Sequence, residues 1–450
     1  MGVCSMNRKW GKMIVATLCL GLFALALACV LQPISWSPDG RWIALTRWTG
    51  DNDSASDTKK GSGLWIVSPK PIERRRLFVT SGTILSGPTW RQDSKAICVV
   101  ELPEEKTTGP TVLWSVPLDG KPREIIRLPA TREETGGAVF SSPAIAPDGK
   151  QIAFLRDKSS VVIATSDGKV QRVIEGGEQG TPSWSPDGRW LVVAGGSEQE
   201  PGVRFYDTKS SEIITLDVRY RTMVWLPDGK RFVVLKKTTS EGPEKLSVAV
   251  VEGITSRREI ASFELGASFE EIGGPLVPSP KGDALFCSRG EKGEQPPAIC
   301  KLDLRDGKSQ VVYEAPGPVV AWSVSPDGRA LAFRESAIGK DSGGDSFVGV
   351  LDLRGTTDPV YLAIDDKQWA EVIKAYTDEL KKVEAGKLTP SQEKTTRRAI
   401  AQVERFLAAF RRDFPQSPLL PQAAAAIKET RAALKEAGIT PAPGGATTQW

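Results

Sequence analysis

The chain has 450 residues, of which 40% are apolar and 25% charged, with a formal net charge of +4. This length and apolar content allow a large core and exceed one ordinary compact domain. The charge balance is nearly even and the basic clusters are short, which argues against a nucleic-acid-binding surface. The chain has no histidine. That absence excludes Ser-His-Asp and Cys-His catalytic sets and zinc sites built on histidine.

Residues 1–31 have the pattern of a targeting segment. Arg8, Lys9 and Lys12 precede an uncharged stretch at 13–31 that is about long enough to span a bilayer. Positive charge ahead of an apolar run sends the following chain across the membrane. We predict a membrane anchor, with a cleaved signal or a lipoprotein signal ending at Cys29 as alternatives. All three place the rest of the chain on the extracytoplasmic, periplasmic side.

A five-residue phrase, in most copies an apolar residue followed by Ser-Pro-Asp-Gly or a near variant, occurs seven times. The copies recur every 39 to 55 residues and start at Trp36, Trp90, Ile145, Trp184, Trp225, Pro278 and Val324. Pro presets φ for the first turn position, Asp bonds nearby backbone amides, and Gly takes the positive φ that closes a hairpin. The phrase therefore predicts a tight turn.

A strand is predicted after every turn. In each copy the residues four and six positions past the Asp are apolar, as at Ile43 and Leu45, and so is the residue between them. This pattern predicts a strand that is covered on both faces. One repeat has room for about four strands, the size of a propeller blade. We predict a seven-bladed β-propeller, or a six-bladed one if the weak copy at Asp93 or at Lys281 does not form a whole blade.

The repeat resembles the TolB-type, WD-like propeller repeat, in which an aromatic residue is followed by Ser-Pro-Asp-Gly and an Ile-Ala-Phe-like strand. The resemblance covers residues 33–363 and implies a binding or scaffold role in the bacterial envelope. The chain departs from TolB in having seven repeats, where TolB has six blades, and in carrying its extra domain after the propeller. These departures put any TolB-specific partner in doubt.

Past residue 363 the apolar period changes from two to 3.6. Apolar stripes predict helices over 369–386, 389–415 and 421–438, with Gln392 placed to complete a capping box. We therefore predict a helical module at 365–438. A Pro/Gly/Thr-rich, disordered tail is expected at 439–450.

The connection between the second and third helices has a further resemblance. Phe414-Pro415-Gln416-Ser417 before the Ala-rich stretch 423–426 resembles a tetratricopeptide-type turn. The resemblance implies a helical hairpin that docks proteins. The alternative is a helical appendage that packs its apolar stripe on the propeller or on itself.

Three cysteines fall in predicted strands. Cys287 and Cys300 stand on either side of one loop and can form a disulfide in an oxidising compartment. Alternatively, Cys287 is an ordinary core residue. Cys98 is expected to be a small buried residue of its strand.

We find no catalytic motif and predict no enzyme, metal site or cofactor. The chain lacks a Gly-x-Ser-x-Gly elbow, a Walker loop and a Cys-x-x-Cys pair. Adjacent glutamates at 104–105, 133–134 and 270–271 are interpreted as solvated loop acids. The acidic stretch at 51–57 lacks the Gly and distal Glu of an EF-hand.

Surface recognition is the remaining basis for function. The longest loops, between second and third strands, should emerge on one face, with Arg219, Tyr220 and Arg221 near its centre. We predict a non-catalytic scaffold that binds protein partners in the cell envelope. The alternatives are a carboxylate- or metal-dependent enzyme, or a glycan or small-molecule sensor, with the site in the central channel.

Overall fold

The computed structural model describes most of the chain. The described residues are 34–49, 61–85, 87–103, 109–129, 143–155, 160–175, 182–194, 203–216, 220–238, 245–265, 276–289, 297–315, 319–336, 346–355, 359–383, 390–436 and 438–439. Within them, 29 strands form seven antiparallel sheets, and three helices follow the last strand. The predicted anchor at 1–31 lies outside this range.

Each sheet is one blade, numbered I to VII in chain order. The strands are β1 (Ile34–Trp36), β2 (Ile43–Thr49), β3 (Gly61–Pro69) and β4 (Ile72–Val79) in blade I; β5 (Thr83–Leu85), β6 (Thr89–Trp90), β7 (Ala96–Pro103), β8 (Thr111–Pro117) and β9 (Arg123–Leu128) in blade II; β10 (Ala144–Ile145), β11 (Gln151–Leu155), β12 (Ser160–Thr165) and β13 (Val170–Glu175) in blade III; β14 (Pro182–Trp184), β15 (Trp190–Ala194), β16 (Val203–Asp207) and β17 (Ile213–Leu216) in blade IV; β18 (Tyr220–Trp225), β19 (Arg231–Thr238), β20 (Lys245–Glu252) and β21 (Arg258–Glu264) in blade V; β22 (Val277–Pro278), β23 (Ala284–Arg289), β24 (Ala298–Asp303) and β25 (Ser309–Glu314) in blade VI; and β26 (Val319–Val324), β27 (Ala330–Ser336), β28 (Ser346–Asp352) and β29 (Val360–Leu362) in blade VII.

The fold is a seven-bladed propeller, as predicted. Strands pair in sequence order within a blade, neighbouring blades contact each other, and β1 of blade I contacts β26 of blade VII. The copies at Asp93 and Lys281 both lie in complete blades, so the six-bladed alternative is wrong.

The recurring phrase forms the turn between the first two strands of its blade. In blade I the amide of Gly40 donates to the carbonyl of Ser37 at 2.9 Å, and the carboxylate of Asp39 accepts from the amide of Arg41 at 3.1 Å. The glycine of six copies has φ between 67° and 72°, where a side chain is disfavoured. In the second copy Ser94 takes this conformation, with φ 56°, and its hydroxyl accepts from the amide of Asp39 at 3.0 Å. That bond joins blades I and II and offsets part of the strain.

Blade II departs from the four-strand pattern. Its innermost strand is split into β5 and β6, which both pair with β7. Gly87 and Pro88 lie between the two pieces. Because proline has no N–H to donate, the ladder is interrupted there.

Both faces of the blades are covered, as the apolar pattern predicts. Ile43, Ala44 and Leu45 are at most 1% exposed, although they alternate between the two faces of β2. Tryptophans that begin the phrase also join neighbouring blades. Their indole N–H can only donate a hydrogen bond. Three of them donate to a backbone carbonyl of the preceding blade: Trp36 to Ser323 at 3.1 Å, Trp90 to Ser35 at 2.9 Å and Trp184 to Ala144 at 3.0 Å.

Three helices follow blade VII: α1 (Asp366–Lys381), α2 (Pro390–Asp413) and α3 (Leu420–Glu436). Asp365 caps α1, since its carboxylate accepts from the amide of Gln368 at 2.7 Å. Gly438, with φ 82°, follows the end of α3. The helical period is therefore confirmed, whereas the side chain of Gln392, the predicted capping-box residue, lies outside the described residues.

The helices attach to the rim of blade VII through their apolar stripes. Phe406 of α2 is fully buried, and its ring centroid lies 4.4 Å from that of Phe347 and 5.0 Å from that of Tyr361, both in blade VII. Trp369 and Tyr376 of α1 belong to the same core cluster. The apolar stripes of the helices thus pack on the propeller and on each other, as the alternative to a docking hairpin predicted. Among the described residues, no helix has the length and apolarity needed to cross a bilayer.

Candidate docking cleft between blades I and VII

The two ends of the propeller carry different connections. The phrase turns and the turns between third and fourth strands lie together at one end, here called the turn face; for example, the amide of Leu353 donates to the carbonyl of Arg329 at 2.8 Å. The antiparallel strand order puts the connections between second and third strands at the opposite end, the loop face. The described residues cover the turn face far better than the loop face.

The predicted recognition residues lie at the start of blade V. Tyr220 is the first residue of β18, and Arg221 falls at a register shift in the pairing of β18 with β19. The side chains of both, and all of Arg219, lie outside the described residues, as does Cys29. A recognition surface at this position therefore remains a prediction.

Cys287 and Cys300 are direct partners across the β23–β24 pair. Both are free thiols, at most 1% exposed. Burial raises the pKa of Cys287 to about 12 and also raises the pKa of Cys300, so neither is a ready nucleophile. Their register makes the two residues direct cross-strand neighbours, and a disulfide between them stays a prediction. Cys98 is 1% exposed in β7, as its apolar position predicts.

A cleft of about 1310 Å³ opens where blade I, blade VII and α2 meet. Two of its walls come from the ends of the propeller's first and last blades, and the third comes from one side of α2. The principal lining residues are Trp36, Pro38, Asp39, Pro69, Lys70 and Pro71 from blade I, Ser325, Pro326, Asp327, Arg329, Asp352, Arg354, Pro359 and Tyr361 from blade VII, and Ala401, Glu404, Arg405, Ala408, Ala409 and Arg412 from α2.

Five prolines make the walls formed by the blades conformationally rigid and poor in hydrogen-bond donors. Pro38 and Pro326 belong to the phrase, where they preset the turn, and the others lie in outer turns and strand ends. Each proline fixes φ and lacks an N–H. The walls are consequently preorganised and offer apolar surface before a partner binds.

Two carboxylates of the cleft, those of Asp352 and Asp327, are ionised and already hydrogen-bonded. The hydrogen bond from Arg354 lowers the pKa of Asp352 to about 2, and the hydrogen bond from the Ser325 hydroxyl is the main cause that lowers the pKa of Asp327. A general acid at neutral pH needs a raised pKa instead. These groups suit surface recognition better than proton transfer.

The wall formed by α2 carries a row of small and cationic residues, with the acidic Glu404 beside it. Ala401, Arg405, Ala408 and Arg412 are spaced four, three and four residues apart, so they lie on one side of the helix. Arg412 is held by its hydrogen bond to the carbonyl of Tyr361 at 2.9 Å. This spacing was visible in the sequence, but nothing in the sequence showed which surface the helix would face.

In the innermost strand of each blade, the residue just before the phrase is uncharged. The residues there are small and of intermediate exposure: Ser35, Thr89, Ala144, Ser183, Val224, Val277 and Ser323. In the part of the chain that the structure describes, no three His, Cys, Asp or Glu residues are grouped to hold a metal ion. The channel alternatives therefore gain no support from the described side chains.

Comparison with known proteins agrees with the fold. Residues 131–251, from blade III to blade V, match the family model described as the lipoprotein LpqB β-propeller domain. Among solved structures, the chain is similar to a chain of one described as a crystal structure of the mitotic checkpoint complex, with 11% identity and a TM-score of 0.50. That likeness covers 73% of this chain and 90% of the other, and at this identity it concerns the fold alone. A comparison with curated proteins gave no match.

Proposed function

We propose that the chain is a non-catalytic scaffold on the extracytoplasmic side of the bacterial envelope, and that a protein partner docks in the cleft beside α2. The geometry of this cleft is the observation that carries the proposal, since three rigid elements converge on one opening of about 1310 Å³. The match of 131–251 to a lipoprotein propeller domain supports an envelope location. The charged and apolar pattern of residues 1–31 supports attachment to the membrane, through an anchor or through lipidated Cys29.

The size and chemistry of the cleft favour a peptide segment over a small ligand. Small-molecule sites usually measure about 300–1,000 Å³ and enclose their ligand. This cleft is larger, and its walls combine proline and alanine surface with ion pairs that remain at the rim. Such a mixture is typical of protein interfaces, where an apolar centre is surrounded by polar residues.

The helical module contributes one wall and so takes part in the proposed docking. Its resemblance to a tetratricopeptide-type hairpin supports a protein-binding role. In the connection before α3, the amide of Ser417 donates to the carbonyl of Phe414 at 3.0 Å, and its hydroxyl donates to Asp366 at 2.8 Å. These bonds tie the connection before α3 to the start of α1.

Site-specific photocrosslinking in intact cells tests the docking surface. A photoreactive amino acid at Ala408, an exposed residue of the cleft, is expected to give a discrete protein adduct. The same probe at Ala425, an exposed alanine of α3 away from the cleft, is the matched control and should give none. A bulky blocking substitution, Ala401→Trp, should remove the Ala408 adduct, whereas Ala425→Trp should not.

Identical adducts from both probe positions, or an Ala408 adduct that survives Ala401→Trp, would refute the cleft as the docking surface. Thermal unfolding of each variant shows whether its fold is intact. Reproducible turnover of glycoside or peptide substrates by purified protein would instead overturn the non-catalytic assignment.

A further inference from the structure

The contact between blade VII and blade I, here called the seam, differs from the other contacts between adjacent blades. Between blades I and II, and so on to blades VI and VII, the chain itself passes from one blade to the next. At the seam it does not, because blade I contains β1–β4 and blade VII contains β26–β29, each in sequence order. Among the described residues, no strand is shared across the seam. The seam therefore lacks the direct covalent connection that keeps the other adjacent blades together when their contacts loosen.

The inner part of the seam is built like an ordinary contact between blades. The indole of Trp36 donates to the carbonyl of Ser323, as the indole of Trp184 donates to Ala144 between blades III and IV. The inner contacts at the seam are thus of the same kind as those between connected blades. They do not compensate for the missing chain connection.

The outer part of the seam is bridged by α2. In the first half of the helix, Arg398 pairs with Glu314 at the end of blade VI. At its C-terminal end, Asp413 pairs with Arg74 of blade I, and the Asp413 side chain is only 1% exposed. The guanidinium of Arg74 also lies 4.9 Å from the ring centroid of Phe414. Helix α2 consequently crosses the rim of blade VII and holds the two blades on either side of it.

Two buried arginines add further connections at the same place. Arg47 of blade I, 8% exposed, pairs with Glu371 of α1 at 2.9 Å and with Asp365 at 3.4 Å. Arg334 of blade VII, 1% exposed, donates to the carbonyl of Thr46 in blade I at 3.1 Å. Charged groups are expensive to bury unless they are paired. Their presence here shows that blade I, blade VII and α1 are fitted to one arrangement.

A buried glutamate attaches α1 to blades VI and VII. Glu335 of blade VII is fully buried and accepts hydrogen bonds from Tyr313 of blade VI at 2.8 Å and from Tyr376 of α1 at 3.1 Å. One carboxylate thereby joins two blades to a helix. Removing either donor would leave a buried acceptor with fewer partners, which is costly.

We propose that α1 and α2 form a clasp that closes the propeller ring at the seam, in place of the chain connection that joins the other adjacent blades. Release of the clasp opens the ring between blades VII and I, while the remaining contacts persist. The helical module is then a part of the propeller's own closure, beyond any role in binding a partner.

Hydrogen exchange on the full chain, followed by mass spectrometry, tests the clasp. Asp413→Ala is expected to lower the protection of amides in β1 and β26 by about tenfold or more, with blades III to V unchanged, because a buried ion pair is broken. The matched control is Asp207→Ala. The Asp207 side chain is as buried as that of Asp413 and pairs with Arg189 at 2.7 Å within blade IV, so this variant breaks a comparable ion pair away from the seam. This variant should leave β1 and β26 protected.

If Asp413→Ala does not fold, Arg74→Lys provides a milder change, because it keeps the charge but loses the guanidinium. The same local loss of protection is expected at a smaller size. Equal loss of protection in all seven blades, or unchanged protection in β1 and β26, would overturn the clasp.

Discussion

Replacement of Phe406 by alanine is expected to lower the free energy of unfolding by about 3–5 kcal/mol. The Phe406 side chain is fully buried, and its ring centroid lies 4.4 to 5.7 Å from those of Phe347, Tyr361, Trp369 and Tyr376. Burial of the ring contributes about 1.5–3 kcal/mol. Aromatic pairs add about 0.5–1.5 kcal/mol each. One or two such pairs already bring the sum to the expected range.

Urea unfolding, followed by far-UV circular dichroism and by tryptophan fluorescence, measures this loss. Trp369 lies beside the deleted ring and is one of 13 tryptophans, so it contributes one part of the fluorescence signal, while circular dichroism follows the unfolding of the whole chain. Val311→Ala is the control, because Val311 is 39% exposed on the outer strand of blade VI and should change stability by less than about 0.5 kcal/mol. A loss below about 1 kcal/mol for Phe406→Ala would show that the aromatic cluster does not hold the helices.

Three further predictions concern the propeller itself. Gly349→Ala should destabilise by about 1–3 kcal/mol, because a Cβ there would lie 2.3 Å from the buried ring of Phe333, whereas Gly355→Ala, in open space, should be nearly neutral in thermal unfolding. The hydrogen bond from Arg189 lowers the pKa of Asp207 to about 2, below its ordinary 3.8. Its stabilising effect is therefore present above about pH 4 and is lost as the pH falls through 2. In the Asp207→Asn variant, the melting temperature should depend less on pH between about 4 and 2 than in the original protein. An unchanged dependence on pH would contradict the pairing. A maleimide at pH 8 should leave Cys98 unlabelled until the protein unfolds, since burial raises the pKa of its thiol to about 12; prompt labelling of Cys98 in native protein would refute its burial.

The features that the sequence predicted well are local. The turn at Asp39-Gly40 and the strand that starts at Ile43 depend on residues within about ten positions, whose conformational preferences are strong. Repetition reinforced each weak signal and favoured seven blades, although the two weak copies, at Asp93-Ser94 and at Lys281, left a six-bladed ring as an alternative until the structure was known. The same locality explains the helices, whose stripes and terminal residues are read from neighbouring turns.

The candidate site was not predictable in this way. Its lining comes from Trp36 at one end of the propeller, Tyr361 at the other and Ala408 in the helices. The bonds that bring these parts together, from Trp36 to Ser323 and from Arg334 to Thr46, span 287 and 288 residues. No periodicity in a single sequence indicates such partners. The recognition residues that the sequence did suggest, Arg219, Tyr220 and Arg221, remain a separate prediction at blade V.

The amino-acid sequence by itself determined that the chain folds into repeated four-stranded units with helices after them, because turn geometry and apolar period are properties of short segments. The tertiary structure alone decided where the ring closes, which side of α2 faces outward, and why Arg47, Arg334 and Glu335 are buried. These outcomes depend on which surfaces remain uncovered once all seven blades have been placed around a common axis, a condition that the whole chain sets and no segment carries.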